Sequence, residues 1–180
     1  MNDLALEKRP SRSEYAEFYG GYVGEVPDGD VLATLEHEGE RALSFFRAVP
    51  AERAHFAYAP GKWTVSEVLA HLSDGERVFS YRALRFGRGD ATELPGFDQE
   101  VWAPQSHANR RRWEDLLDEF RCVRAASLHL FRSFDGEDWR RGGVASGHPI
   151  TVRALAWIVA GHELHHRRVL VERYGLVPPA

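Results

Sequence analysis

Several residue types are scarce in this 180-residue chain, and each scarcity excludes a class of protein. Cys122 is the only cysteine, which excludes an intrachain disulfide and a cysteine-based zinc site, and its helical surroundings predict a buried position. No apolar run approaches the roughly 18 residues of a membrane span, and the polar segment 1–12 lacks the apolar stretch of a signal peptide. We therefore expect a cytoplasmic protein with no membrane partner.

Positive charge is also limited. The net charge is −4, Lys8 and Lys62 are the only lysines, and the run Arg110–Arg112 is not part of a longer basic stripe. We therefore predict no nucleic-acid partner. The hydrophobic content of 43% is sufficient for the core of one domain.

Four segments carry apolar residues at helical spacing, and no segment is rich in strand signals, which predicts an all-α fold. The predicted helices cover residues 30–49, 64–86, 109–134 and 151–174. Thr64 and Glu67 form a capping box that should begin the second helix, and Gly175 should end the fourth. The link 87–108 is long enough to let the second and third helices run parallel. We predict a single four-helix-bundle domain over 28–180, with 1–27 as an arm packing on it.

The segment Gly161–His166 predicts a metal site. His162 and His166 are four residues apart on the core-facing side of the fourth helix, so both imidazoles can reach one divalent ion. His71 is the core-facing histidine of the second helix, and Gly75, one turn beyond it, should leave open space beside the ion. Three histidine ligands with room for a fourth describe a site that accepts water or substrate.

Two other readings of the histidine motif fit less well. His162–His166 matches the His-Glu-x-x-His pattern of zinc proteases, but Val169 and Glu172 stand where metzincins continue with glycine and histidine. Glu163 and His166 match half of a di-iron carboxylate site, but the second helix has no counterpart.

Three segments together resemble the DinB-like superfamily: Trp63–Asp74, Leu94–Asp98, and Gly161–His166 with Glu172–Tyr174. The resemblance covers about residues 13–175. Within the superfamily, the chain resembles the branch that includes bacillithiol S-transferases. The resemblance implies an up-down-down-up bundle with one long crossover between helices 2 and 3. It also implies that His71, His162 and His166 are metal ligands and that the protein forms a homodimer, as members of the superfamily commonly do.

The predicted function follows from an open three-histidine site, which suits Zn²⁺ or Ni²⁺. We expect a small-molecule enzyme, an S-transferase that activates a low-molecular-weight thiol such as bacillithiol for attack on an electrophile. The alternatives are a metal-dependent hydrolase that uses metal-bound water, and a non-catalytic bundle braced by a structural metal. Glu163 and Arg82 are weak catalytic candidates, and residues 94–102 could line the mouth of the site.

A second apolar stripe runs along the fourth helix, opposite the histidines. Trp157, Leu164 and Val171 repeat at intervals of seven residues, and a helix that is apolar on two sides is buried on two sides. We predict that this stripe forms a homodimer seam, or else lies under the N-terminal arm.

Overall fold

The computed structural model describes residues 8–177. Its bundle helices are α2 (Val31–Arg47), α3 (Val65–Gly87), α5 (Trp113–Arg132) and α6 (Val152–Tyr174). Two short helices, α1 (Gly20–Glu25) and α4 (Gln99–Gln105), lie in the arm and in the crossover, and an antiparallel hairpin of β1 (Gly142–Ala145) and β2 (His148–Thr151) precedes α6. Single 3-10 turns occur at Arg12–Glu14, Glu17–Tyr19, Ala51–Arg53, Ala108–Arg110 and Asp138–Arg140.

The bundle has the predicted up-down-down-up order. Helix α2 is antiparallel to α5, α3 is parallel to α5, and α6 is antiparallel to α3. The pairs that fix these directions are Glu36–Arg132 and Phe46–Trp113 for α2 and α5, Glu76–Arg124 and Arg88–Ser133 for α3 and α5, and His71–His166 and Phe79–His162 for α3 and α6. The crossover after α3 therefore returns the chain along the length of the bundle.

The helix ends follow the local sequence signals. The Thr64 hydroxyl accepts from the Glu67 amide at 3.2 Å, and the Glu67 carboxylate accepts from the Thr64 amide at 2.8 Å, so the capping box is confirmed. Gly175 ends α6 in the left-handed conformation, with φ of 65°. Helix α5 begins at Trp113 rather than at Asn109, because Ala108–Arg110 forms a 3-10 turn and Arg112 is extended. No helix within residues 8–177 has the length and apolarity needed to cross a membrane.

The hairpin was not predicted, because no segment of the sequence is rich in strand signals. A side chain at Gly142 would meet the Ile150 carbonyl oxygen at 2.5 Å, and one at Gly143 would meet the Phe86 ring at 2.3 Å. These glycines therefore allow close packing of β1 on β2 and on α3. The turn itself is Ser146–Gly147, both with positive φ, which is the geometry of a tight hairpin.

The arm covers the back of α6 at Trp157, which is the second of the two predicted arrangements. The backbone of α1 approaches so closely that a Cβ at Gly161 would lie 1.9 Å from the Tyr22 carbonyl oxygen. Trp157 is fully buried, with the Arg9 guanidinium 4.9 Å from its ring centre, so it cannot contact a second subunit. Leu164 and Val171 are half-buried, and a homodimer stays a prediction. Residues 1–7 of the predicted arm lie outside the described residues.

Candidate metal centre

Three histidine side chains meet between α3 and α6. His71 comes from α3, and His162 and His166 come from successive turns of α6. One ring nitrogen of each lies within 4.8 Å of the others, and the Nε2 atoms of His71 and His162 are 2.9 Å apart. The three residues predicted as ligands are thus brought together by two antiparallel helices.

Burial keeps the three imidazoles neutral. It lowers the pKa of His71 to about 4 and, aided by the neighbouring imidazoles, holds the pKa values of His162 and His166 well below their ordinary 6.5. A neutral imidazole has one ring nitrogen with a free lone pair, which is the form that binds a metal. In the described part of the chain, no carboxylate or thiol joins this group of three.

Gly75 has a different role from the predicted one. A Cβ at this position would lie 2.9 Å from Cε1 of His162, closer than ordinary contact allows. The absent side chain therefore makes room for the His162 ring itself, not for open space beside an ion. This glycine sets how closely α6 can present His162 to α3.

Aromatic rings from three separate segments surround the histidines. The centre of the Trp63 ring lies 4.7 Å from that of His71, and the rings of Tyr22 and Phe79 lie 5.3 Å and 5.8 Å from that of His162. Sequence reasoning did not single out these residues, although Trp63 stands in a family-like motif and Tyr22 in the predicted arm. The contacts of Tyr22 and Phe79 with His162 join distant segments, so no local pattern reveals them.

A cavity of about 620 Å³ opens beside the histidines. All three line it, together with side chains from the arm, the loop before α3, the crossover, the hairpin and α6. The predicted mouth segment 94–102 contributes Gly96, Phe97, Gln99 and Glu100. A volume of this size is ordinary for a small-molecule site.

Arg82, a weak catalytic candidate, supports the cavity wall. It is 1% exposed, and its guanidinium donates to the Pro95 carbonyl and to the Ser146 hydroxyl, each at 2.9 Å. A weaker contact of 3.4 Å reaches the Tyr19 hydroxyl. One buried cation therefore joins the crossover, the hairpin and the arm.

Glu163, the other weak candidate, lies in a buried group of charges and does not line the cavity. Within residues 8–177 neither of its carboxylate oxygens accepts a hydrogen bond, although Nε of Arg167 is 3.3 Å from Oε1. Burial raises the pKa of Glu163 to about 7 against the opposing effect of Arg167 and Arg124. Arg124 is itself paired with Glu76 at 2.9 Å.

Cys122 is exposed, which corrects the prediction that it is buried. It lies on the outer side of α5, where Arg121 donates to its sulfur at 3.4 Å, because the helix turns this position away from the core. Cys122 is not among the residues that line the histidine cavity. A thiol at the histidines would therefore have to come from another molecule.

A model described as the DinB superfamily matches residues 34–170. The chain belongs to the DinB superfamily. This confirms the resemblance in its broad form. No curated protein matches the chain.

The fold of this DinB superfamily member is also similar to a solved structure. YfiT from Bacillus subtilis, described as a probable metal-dependent hydrolase with an unusual four-helix bundle topology, has 19% identity and a TM-score of 0.66. The similarity covers 95% of each chain, so it includes the arm and the crossover as well as the bundle. At this identity it supports the fold alone.

Proposed function

We propose that this protein is a metal-dependent enzyme whose divalent ion is held by His71, His162 and His166. The observation that carries the proposal is that three neutral imidazoles face one small-molecule cavity. The Nε2 atoms of His71 and His162 are 2.9 Å apart and can share one proton, whereas a divalent ion can accept a lone pair from all three rings. A role in binding a metal explains why the bundle gathers them.

The donor set fits Zn²⁺ or Ni²⁺. Three uncharged nitrogen ligands leave the full charge of the ion uncompensated, and in the described part of the chain no carboxylate joins them. When bound, such an ion would lower the pKa of a thiol or a water molecule that reaches its open position. The aromatic rings of Tyr22, Trp63 and Phe79 would limit access of bulk water to that position.

The leading reaction is S-transfer from a low-molecular-weight thiol, such as bacillithiol, to an electrophilic small molecule. The thiol sulfur bonds to an electrophilic carbon, the leaving group departs with the electron pair of its broken bond, and the thiol proton passes to solvent. The absence of a carboxylate from the histidine group favours a thiol, because a thiol with a lowered pKa needs no separate general base.

Hydrolysis is the second candidate, because the structurally similar YfiT is described as a probable metal-dependent hydrolase. Water would then be the nucleophile. Glu100, which lines the cavity, is the carboxylate available to accept its proton.

The test combines metal content with two assays. We expect wild-type protein, purified without an affinity tag, to contain about one Zn or Ni per chain, and His71→Ala to lose it. His129→Ala, which alters an exposed histidine on α5, is the control and should keep its metal. Turnover of a chromogenic electrophile only with added thiol supports S-transfer, whereas ester or amide cleavage without thiol supports hydrolysis. Wild-type protein that still contains no metal after Zn or Ni has been supplied would overturn the proposal.

A further inference from the structure

The cavity beside the histidines is unusually aromatic. Among the described residues that line it, eight are phenylalanine, tyrosine or tryptophan, and Lys62 and Glu100 are the only lysine, arginine, aspartate or glutamate. Both charged residues are exposed and can therefore be solvated. The cavity wall thus offers rings and hydroxyl groups rather than ion pairs.

Aromatic residues also stand exposed around the opening. Phe18 of the arm is 60% exposed, although it lines the cavity, and its ring lies 4.3 Å from that of Tyr19. On the crossover, Phe97 also lines the cavity and packs at 4.9 Å on Trp102, which is 43% exposed. Exposed large apolar side chains beside a cavity mark a binding site, because leaving them in water is unfavourable.

Two different segments supply these exposed rings, and each is tied to the bundle by a separate contact. Phe18 precedes α1, which packs on α6, and Phe97 lies 6.0 Å from the buried Arg82 guanidinium. The two exposed rings are therefore carried by anchored backbone, and both line the same cavity as Tyr22, Trp63 and Phe79.

We infer that this cavity binds a neutral aromatic small molecule of one or two rings. Its substrate role rests on the proposed function: the bound molecule is the electrophile, and its reactive atom faces the histidine group. Apart from the proposed ion, a charged substrate would lose hydration without gaining a buried charged side chain as a partner, since Lys62 and Glu100 are exposed.

A second candidate site is a groove of about 510 Å³ between α3 and α5. It is also apolar and includes Tyr81, Leu84 and Leu130. Any binding assay must therefore separate the two places. Leu84→Ala is a suitable control, because Leu84 is 38% exposed and lies far along α3 from His71.

The test measures binding by isothermal titration calorimetry, with benzyl alcohol and 2-naphthylmethanol as neutral probes and 2-naphthoate as the charged one. We expect one saturable site, with 2-naphthylmethanol bound on the order of tenfold more tightly than benzyl alcohol, because a second ring buries more apolar surface. Phe97→Ala and Phe18→Ala should each weaken binding about three- to tenfold, and Leu84→Ala should leave it unchanged.

Other outcomes overturn the inference. No saturable binding, equal affinity of metal-free His71→Ala for 2-naphthoate and 2-naphthylmethanol, or weakening by Leu84→Ala alone would each do so. Repeating the titration with metal-free His71→Ala separates this inference from the proposed function. Binding that persists in this variant supports the aromatic site even if the metal proposal fails. Metal-loaded wild type that binds no probe would contradict the inference and leave the proposed function standing.

Discussion

The close approach of the arm to α6 gives the sharpest test of the fold. In Gly161→Ala, the new Cβ would lie 1.9 Å from the Tyr22 carbonyl oxygen and 2.4 Å from its carbon. Heavy atoms in contact normally stand about 3.5 Å apart. The arm must therefore move outward, and both Tyr22 and the cover over Trp157 must move with it.

The expected loss of stability is about 1–2 kcal/mol. Overpacking of this kind costs about 1–3 kcal/mol, while replacing a helical glycine by alanine recovers about 0.5–1 kcal/mol. For a chain of this size each kcal/mol shifts Tm by roughly 2–4 °C, so Tm should fall by about 2–8 °C. Amide hydrogen exchange in α1 should become faster, because this segment is the one displaced.

The measurement is thermal unfolding by circular dichroism in the presence of a chelator, so that effects on metal binding do not contribute. Gly24→Ala is the matched control: it adds the same methyl group on α1 itself, where no atom lies within 4 Å, and should leave Tm unchanged or slightly raised. If Gly161→Ala raises Tm and leaves exchange in α1 unchanged, the packing of the arm on α6 described above is wrong.

Three further substitutions test the site and its surroundings. Gly75→Ala should weaken metal affinity by about 10–100-fold, because its Cβ displaces the His162 ring; unchanged affinity by competitive chelator titration would count against this. Arg82→Gln should lower the free energy of unfolding by about 2–4 kcal/mol in urea, whereas Arg88→Gln, at an exposed position, should change it little. Glu163→Gln should stabilise the metal-free protein at pH 8 but not at pH 4.5. The folded pKa of Glu163, about 7, is above its ordinary 4.5, so the wild type loses up to about 3 kcal/mol as pH rises through this window, and glutamine does not titrate. A pH-independent difference in urea unfolding would refute that account.

The bundle could be predicted from the sequence because its signals are local. The capping residues Thr64 and Glu67, the glycine at 175 and the apolar spacing each act within a few residues, and the structure reproduces all of them. The length of the crossover allowed a parallel arrangement of α3 and α5, and the family resemblance implied it. The histidine group could be predicted for the same reason, since two of its members lie on one helix.

The remaining features depend on contacts between distant segments. Gly142 and Gly143 leave no room for a side chain against Ile150 of β2 and Phe86 of α3, and only the folded chain shows these neighbours. Cys122 stands in an amphipathic helix, and its exposure depends on which way α5 is rotated against its neighbours. Trp157 could lie under the arm or in a dimer seam on sequence grounds, because both would bury an apolar stripe equally well.

Different parts of the same chain pack on the different sides of α6, and these contacts hold the helix in place. The arm covers Gly161, α3 packs against His162, and Glu163 lies in the buried charged group. These contacts hold two of the three histidines in place without any ion. The bundle should therefore fold without metal, and metal should add stability only by mass action, about 2.7 kcal/mol at a hundredfold excess over Kd. Chelation should accordingly lower Tm by several degrees and leave the helical circular dichroism spectrum unchanged. A spectrum that collapses on chelation would instead assign the ion a structural role and remove the argument for an open catalytic site.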